Sequence, residues 1–226
     1  MARKEPYPAE LLKQNEHGIF NPWNTSSSNN EKWHLKHQMI RRIREINENI
    51  LVLQENSVPH AELHEILHQV EQLLDVLNQL PKLQRTIGKL DYGSFSHSLM
   101  ERSPVSGQAN PIAPPVNMDP WNGERVVTAS VTFQSVHEGP PGTVHGGAIL
   151  LVFDEILAMA QLPSGQIGKT GSVTVRMLRP TPLHKTIVFE GGISSMEGRK
   201  THTWARAYSE GHLIAEGTAV CIRPEP

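Results

Sequence analysis

Apolar positions change period along this chain, and the changes divide it. From Ser28 onward Met39, Ile43, Ile46, Ile50 and Leu53 recur at intervals of four and three, which puts them on one face of a helix. Ser28 and Glu31 have the spacing of a reciprocal N-terminal cap. After a break at Asn56-Ser57-Val58-Pro59, Leu63, Ile66, Val70, Leu73, Leu77 and Leu80 repeat the pattern until Pro81 ends it. Prolines at 104, 111, 114, 115 and 120 exclude regular helix and most strand between Ser103 and Pro120. Beyond them the period becomes two: Val127, Ala129, Val131 and Phe133 alternate, as do Val173, Val175 and Met177, and Ile187, Phe189, Gly191 and Ile193. Lys200 to Tyr208 and Leu213 to Ile222 complete five strands, with turns at Glu197-Gly198 and Glu210-Gly211. One helix, roughly Gly147 to Ala160, lies between the first two strands. That order predicts an α+β fold whose antiparallel sheet wraps one long helix.

The chain therefore reads as a flexible, polar N-terminal arm (1–30), a helical hairpin (31–92), a Pro-rich connector (93–125) and the α+β domain (126–226). The first hairpin helix carries Lys32, Lys36, Arg41, Arg42 and Arg44, and the second Glu62, Glu65, Glu71 and Asp75 without a Lys or Arg. An antiparallel hairpin would pair these charges. The two apolar seams need cover from each other, from the C-terminal domain or from another subunit.

The 226 residues are enough to bury a substantial core, and a net charge of −2 gives no basic excess of the kind nucleic acid attracts. The single cysteine, Cys221, sits in an apolar strand pattern and points to a reducing compartment. Met1 to Leu12 has no apolar core of a leader, and the longest apolar run, Ala148 to Phe153, falls far below the ~20 residues a membrane span needs. The expectation is a soluble, cytoplasmic protein with no membrane span.

Chemistry concentrates in Gly142-Thr143-Val144-His145-Gly146-Gly147 and the helix that follows. Asp154 and Glu155 are the polar residues of that helix, so at least one carboxylate is drawn into an apolar setting. Burial raises a carboxyl pKa toward the range useful to a general base. Gly146 and Gly147 leave the helix-start amides open to close approach, where the positive dipole end favours an oxyanion. Gly146 and Asp154 are eight residues apart, roughly 12 Å along a helix. One carbonyl meets both only if the acid comes from a second, antiparallel copy, so the spacing predicts a two-fold dimer.

The ordered set Gly139-Pro140-Pro141-Gly142-x-x-His145-Gly146-Gly147, Asp154, Arg179-Pro180-Thr181-Pro182-Leu183 and Gly198-Arg199-Lys200 resembles the hotdog-fold thioesterases of the PaaI type. The likeness reaches upstream to Asn110-Pro111-Ile112-Ala113-Pro114-Pro115 and covers about residues 105–223, leaving the N-terminal helices outside it. It implies a hotdog domain that hydrolyses a thioester of coenzyme A or acyl carrier protein without metal or cofactor, as a homodimer or a dimer of dimers. On that pattern Asp154 is the catalytic carboxylate, as base or nucleophile, Gly146 the oxyanion-hole amide and His145 the residue shaping the turn. Thr170 or Ser172 falls where relatives place a hydroxyl that holds the attacking water. Some relatives have Asn six residues before the motif His, where this chain has Gly139. Gly147 would also face substrate, and Arg176, Arg179, Arg199 and Lys200 are candidate phosphate contacts. Glu155 points about 100° away from Asp154 and reads as structural. Phe153, Met159 and Pro111 to Pro115 are candidates to line the acyl pocket.

Two rival readings come from other classes. His64-Glu65-Ile66-Leu67-His68 matches the HExxH of zinc hydrolases, with His60 one turn earlier, but no Gly-x-x-His follows and no third ligand stands out. A hotdog module that binds an acyl thioester or a protein without turnover is the other, since fold alone does not establish catalysis.

Overall fold

The computed structural model describes residues 31–82, 102–114, 116–119 and 125–223. The expected arm 1–30, including the Ser28 cap, lies outside the described residues.

Helix α1, Glu31–Leu51, and helix α2, His60–Gln79, are joined by a tight turn at Glu55–Ser57. Pro59 stands just before α2, where a missing N–H is harmless, and its carbonyl accepts from Glu62 and Leu63 at 3.0 and 3.2 Å. Strands β1 (Asn117–Met118), β2 (Val126–Thr132), β3 (Lys169–Met177), β4 (Thr186–Glu197), β5 (Lys200–Ser209) and β6 (His212–Ile222) form one antiparallel sheet in the order β1-β2-β4-β5-β6-β3. The five predicted strands are all present. The sixth, β1, is a two-residue pairing on the edge of β2 within the Pro-rich connector, in a stretch free of proline.

Helix α3, Gly146–Met159, connects β2 to β3 and packs on one face of the sheet. Val152, Phe153, Ile156 and Leu157 are fully buried against Phe189, Ala205, Ala207 and Cys221. Phe153 and Phe189 meet edge to face with centroids 5.4 Å apart. The helix comes this close because Gly217 has no side chain: a Cβ there would lie 2.9 Å from the Phe153 ring. By length and hydropathy alone Gly146–Ser164 could cross a membrane, a property that a search for unbroken apolar runs overlooks. Here it is the mostly buried core helix with the turn after it.

Helix α1 is fastened to this body along one face. His37 and Ile40 are buried. Arg44 donates to the carbonyls of Gly107 and Asn110 at 2.9 and 2.8 Å. The Glu48 carboxylate accepts from the backbone N–H groups of Ser135 and Val136 at 2.9 and 3.1 Å. Burial pushes the Glu48 pKa up, but the Ser135 and Val136 bonds and the nearby His184 outweigh it and hold the group below the usual range. Helix α2 has no buried residue. The expected charge pairing between the two helices does not form: among the described residues no ion pair joins them, and Arg42 pairs with Glu45 one turn along α1 at 2.5 Å. The body, rather than α2, holds α1 in place.

Candidate active site

The loop that feeds α3 is built from its own glycines and a carboxylate. Gly142 adopts a left-handed φ of 75°, and its N–H donates to Glu138 at 2.6 Å. Gly139 donates to the Thr143 carbonyl, and His145 to that of His137, at 2.9 and 2.8 Å. A Cβ on Gly139 would stand 2.7 Å from the His145 Cα, so backbone fills the space that a side chain would need. Val144 donates to Thr181 at 2.9 Å and Thr143 bridges Pro182, which joins the two separated motifs.

His145 is the N-cap of α3, with Nδ1 accepting from Gly147 N–H at 3.0 Å. Its carbonyl takes the N–H groups of Ala148 and Ile149 at 3.0 and 3.3 Å. Of the first four helix amides, that leaves the Gly146 N–H without a partner among the described residues. Gly147, expected to face substrate, has its donor committed to the cap. Beside Gly146 stands Met177, half-exposed at the end of β3.

The two carboxylates of α3 separate cleanly. Glu155 is the one drawn into the apolar setting: it is 8% exposed, accepts from Ser103 at 2.5 Å, and also accepts from Ser106. Burial raises its pKa; the two serines hold it down in part, and the charge of Asp154 adds to the rise. Glu155 thus staples the connector to α3, a structural use of the kind its angle on the helix suggested. Asp154 is exposed in the single chain, on a stripe with Gly147, Leu150 and Leu151. This uncovered stripe lies on α3, and Met177 at the tip of edge strand β3 meets its N-terminal end at Gly146.

Residues opposite one another in an antiparallel pair share a face of the sheet. Gly217 and Val175 face α3, so Cys221 and its partner Thr170 do too, whereas Val220 and its partner Ser172 lie on the outer face past a register shift. Burial raises the Cys221 pKa, Thr203 and Thr170 hydroxyls lower it, and Asp154 raises it further. Thr170, Cys221 and Asp154 are therefore electrostatic neighbours, and Ser172 is not among them.

A chain similar in fold is the crystal structure of protein RHA08564, a thioesterase superfamily protein, with a TM-score of 0.67 and 24% identity over 83% of this chain and 94% of that one. The C-terminal half has the hotdog fold. The 83% coverage exceeds what residues 102–223 alone could supply, so the likeness extends into the N-terminal part. In sequence, the acyl-coenzyme A thioesterase THEM4 of Mus musculus is 31% identical over 91 residues, which are 39% of this chain and 39% of that protein. Its Xenopus laevis counterpart is 31% identical over 88 residues, 38% of this chain and 40% of that one. The match thus spans about two fifths of these curated relatives. No protein-family model matches the chain.

In the hotdog domain the four candidate phosphate contacts do not form one group. Arg176 lies on the outer face, 3.5 Å from Glu216. Arg199 donates through Nε to the Arg223 carbonyl at 2.9 Å. Lys200 pairs with Ile222 and Arg176 with Glu216, six residues apart on β6 and so roughly 20 Å. Arg179 follows β3 with its backbone N–H on the Ile214 carbonyl. Phe153 and Met159, proposed as pocket lining, are core residues, since the apolar face of α3 is consumed by the sheet. The HExxH residues sit exposed on α2. His64 stacks edge-on with His60, and His68 Nε2 lies 2.8 Å from Gln72. Among the described residues no three His, Cys, Asp or Glu groups gather as a metal site. Ser103 and Ser106 escaped the reading of the chain, because two serines in a Pro-rich connector carry no periodic signal.

Proposed function

We propose that the protein is a thioesterase that hydrolyses an acyl-CoA to free acid and coenzyme A at a site shared by two copies. The carrying observation is on α3: one helix-start amide, Gly146 N–H, has no partner among the described residues, and Asp154 stands open on the same helix. At about 12 Å along one helix they cannot serve one carbonyl, but an antiparallel second copy brings Asp154 of each chain to Gly146 of the other. The exposed Leu150, Leu151, Met177 and Leu178 and the position of β3 at the edge of the described sheet give that second copy an apolar surface to cover.

In this site the Gly146 N–H and the α3 dipole hold the oxyanion that forms as the thioester carbonyl is attacked. Asp154 takes a proton from the attacking water, and Thr170, on the same side of the sheet, orients that water. The carbon–sulfur bond then breaks, and the departing thiolate takes the proton that Asp154 accepted, which releases the free acid and coenzyme A and restores the carboxylate. The CoA substrate class is supported by the names of the sequence relatives. Arg179 of one chain and Arg199 with Lys200 of the other are the cations we assign to the nucleotide phosphates, because a two-fold pairing at β3 would bring opposite strand ends together.

Steady-state release of free CoA from short, medium, long and aromatic acyl-CoAs tests the reading. Asp154→Asn is expected to lower the rate by about 10²–10⁴-fold with substrate binding kept. Binding without release that depends on Asp154 would establish the non-catalytic module instead. Acyl carrier protein thioesters in a parallel arm settle the carrier.

A further inference from the structure

Helix α2 is apolar along a face that no described residue of its own chain buries. Leu63, Val70 and Leu77 alternate with Ile66, Leu73 and Leu80 at a strict heptad spacing, the seam of a helix that meets another helix. Leu67 and Leu74 widen the stripe beyond what a single neighbour needs. Ile66, Leu67, Val70, Leu73 and Leu74 are 44–55% exposed. Helix α1 shows the complementary situation: His37, Ile40, Arg44 and Glu48 face the body, while Met39, Ile46 and Ile50 on another face are 42–54% exposed. Between the helices runs a groove of about 740 Å³ lined by Leu35, Met39, Ile43, Ile46, Leu73 and Leu77.

Charge selects the occupant. Helix α1 carries five Lys or Arg against three Glu, with Arg41 and Arg42 on the groove rim, and α2 carries four acids and no Lys or Arg. An acidic α2 is repelled by an anionic membrane surface, which disfavours a lipid occupant. A second copy of the hairpin supplies a matched apolar face and the opposite charge. We infer that the helical hairpins of two copies close into one four-helix bundle, with each basic α1 flanked by its own α2 and by the acidic α2 of the other chain. Alternation around the bundle puts unlike charges at every neighbouring pair, whereas α1 on α1 or α2 on α2 would set like charges together. The contact uses none of the residues assigned to thioester chemistry, so it stands or falls separately from it.

The test co-expresses two differently tagged full-length chains, Met39→Cys in one and Leu74→Cys in the other, and applies a short bismaleimide. Cys221 is fully buried and does not compete. A covalent pair carrying both tags is expected, and it should disappear when Leu67→Lys is added to the α2 partner while CoA release by the mixture stays unchanged. No mixed pair, with cross-linking only inside a double variant, overturns the inference in favour of a groove closed by its own chain. Retention of the full-length chain on acidic vesicles that Leu67→Lys abolishes, or a mixed pair indifferent to Leu67→Lys, overturns it as well.

Discussion

Removing the buried acid rather than the exposed one tests the account of α3 most sharply. Glu155→Ala leaves the hydroxyls of Ser103 and Ser106 without their acceptor in a nearly closed setting. Each unsatisfied buried group costs about 1–3 kcal/mol, so about 2–6 kcal/mol of stability should be lost, a fall in Tm of roughly 5–20 °C for a chain this size. Glu155→Gln keeps the shape and one acceptor and should lose far less at neutral pH. The pH dependence carries a definite sign. Because burial raises the folded-state pKa above the ordinary 4.5, the folded state holds the proton longer than the unfolded one. The stability linked to that proton is full below 4.5 and is lost as pH rises through the folded pKa. Denaturant melts followed by circular dichroism from pH 4 upward, taken as wild type minus Glu155→Gln, should fall across that window and then level off. A flat difference, or a Gln variant as unstable as the Ala variant, would refute the burial and the serine clamp together.

The two hydroxyl candidates of β3 divide by face, so Thr170→Val should lower CoA release several-fold while Ser172→Ala leaves it within about twofold, both at unchanged Tm; equal effects would contradict the assignment of faces. Gly217→Ala places a methyl 2.9 Å from the Phe153 ring and 3.1 Å from Val175 and should destabilise by about 1–3 kcal/mol, measured by thermal melt. A neutral result there would mean that α3 can withdraw from the sheet without loss.

Much of this protein is readable without coordinates because its signals are local. Period two in β2 to β6 and the apolar run of α3 reflect burial on one side of a regular element, the heptads of α1 and α2 reflect helical spacing on faces that stay exposed in the single chain, and all of these elements form. The glycines and His145 at the start of α3 were equally legible, since a helix start that leaves an amide free has few sequence solutions. Which of the adjacent carboxylates would be buried was not legible with certainty: neighbours 100° apart on a helix are told apart by what packs against each side. Ser103 and Ser106, roughly fifty residues upstream, made that decision for Glu155.

The order of strands, the face on which Thr170 parts from Ser172 and the scattering of the four cations came from the tertiary structure alone. A register shift in β3 moves side chains between faces without altering the pattern of residue types enough to announce itself. The amino-acid sequence determined what each segment would become, because periodicity and caps act within a turn or a strand. The folded chain decided which polar groups meet, because a hydrogen bond between Glu155 and the connector depends on the path of everything between them.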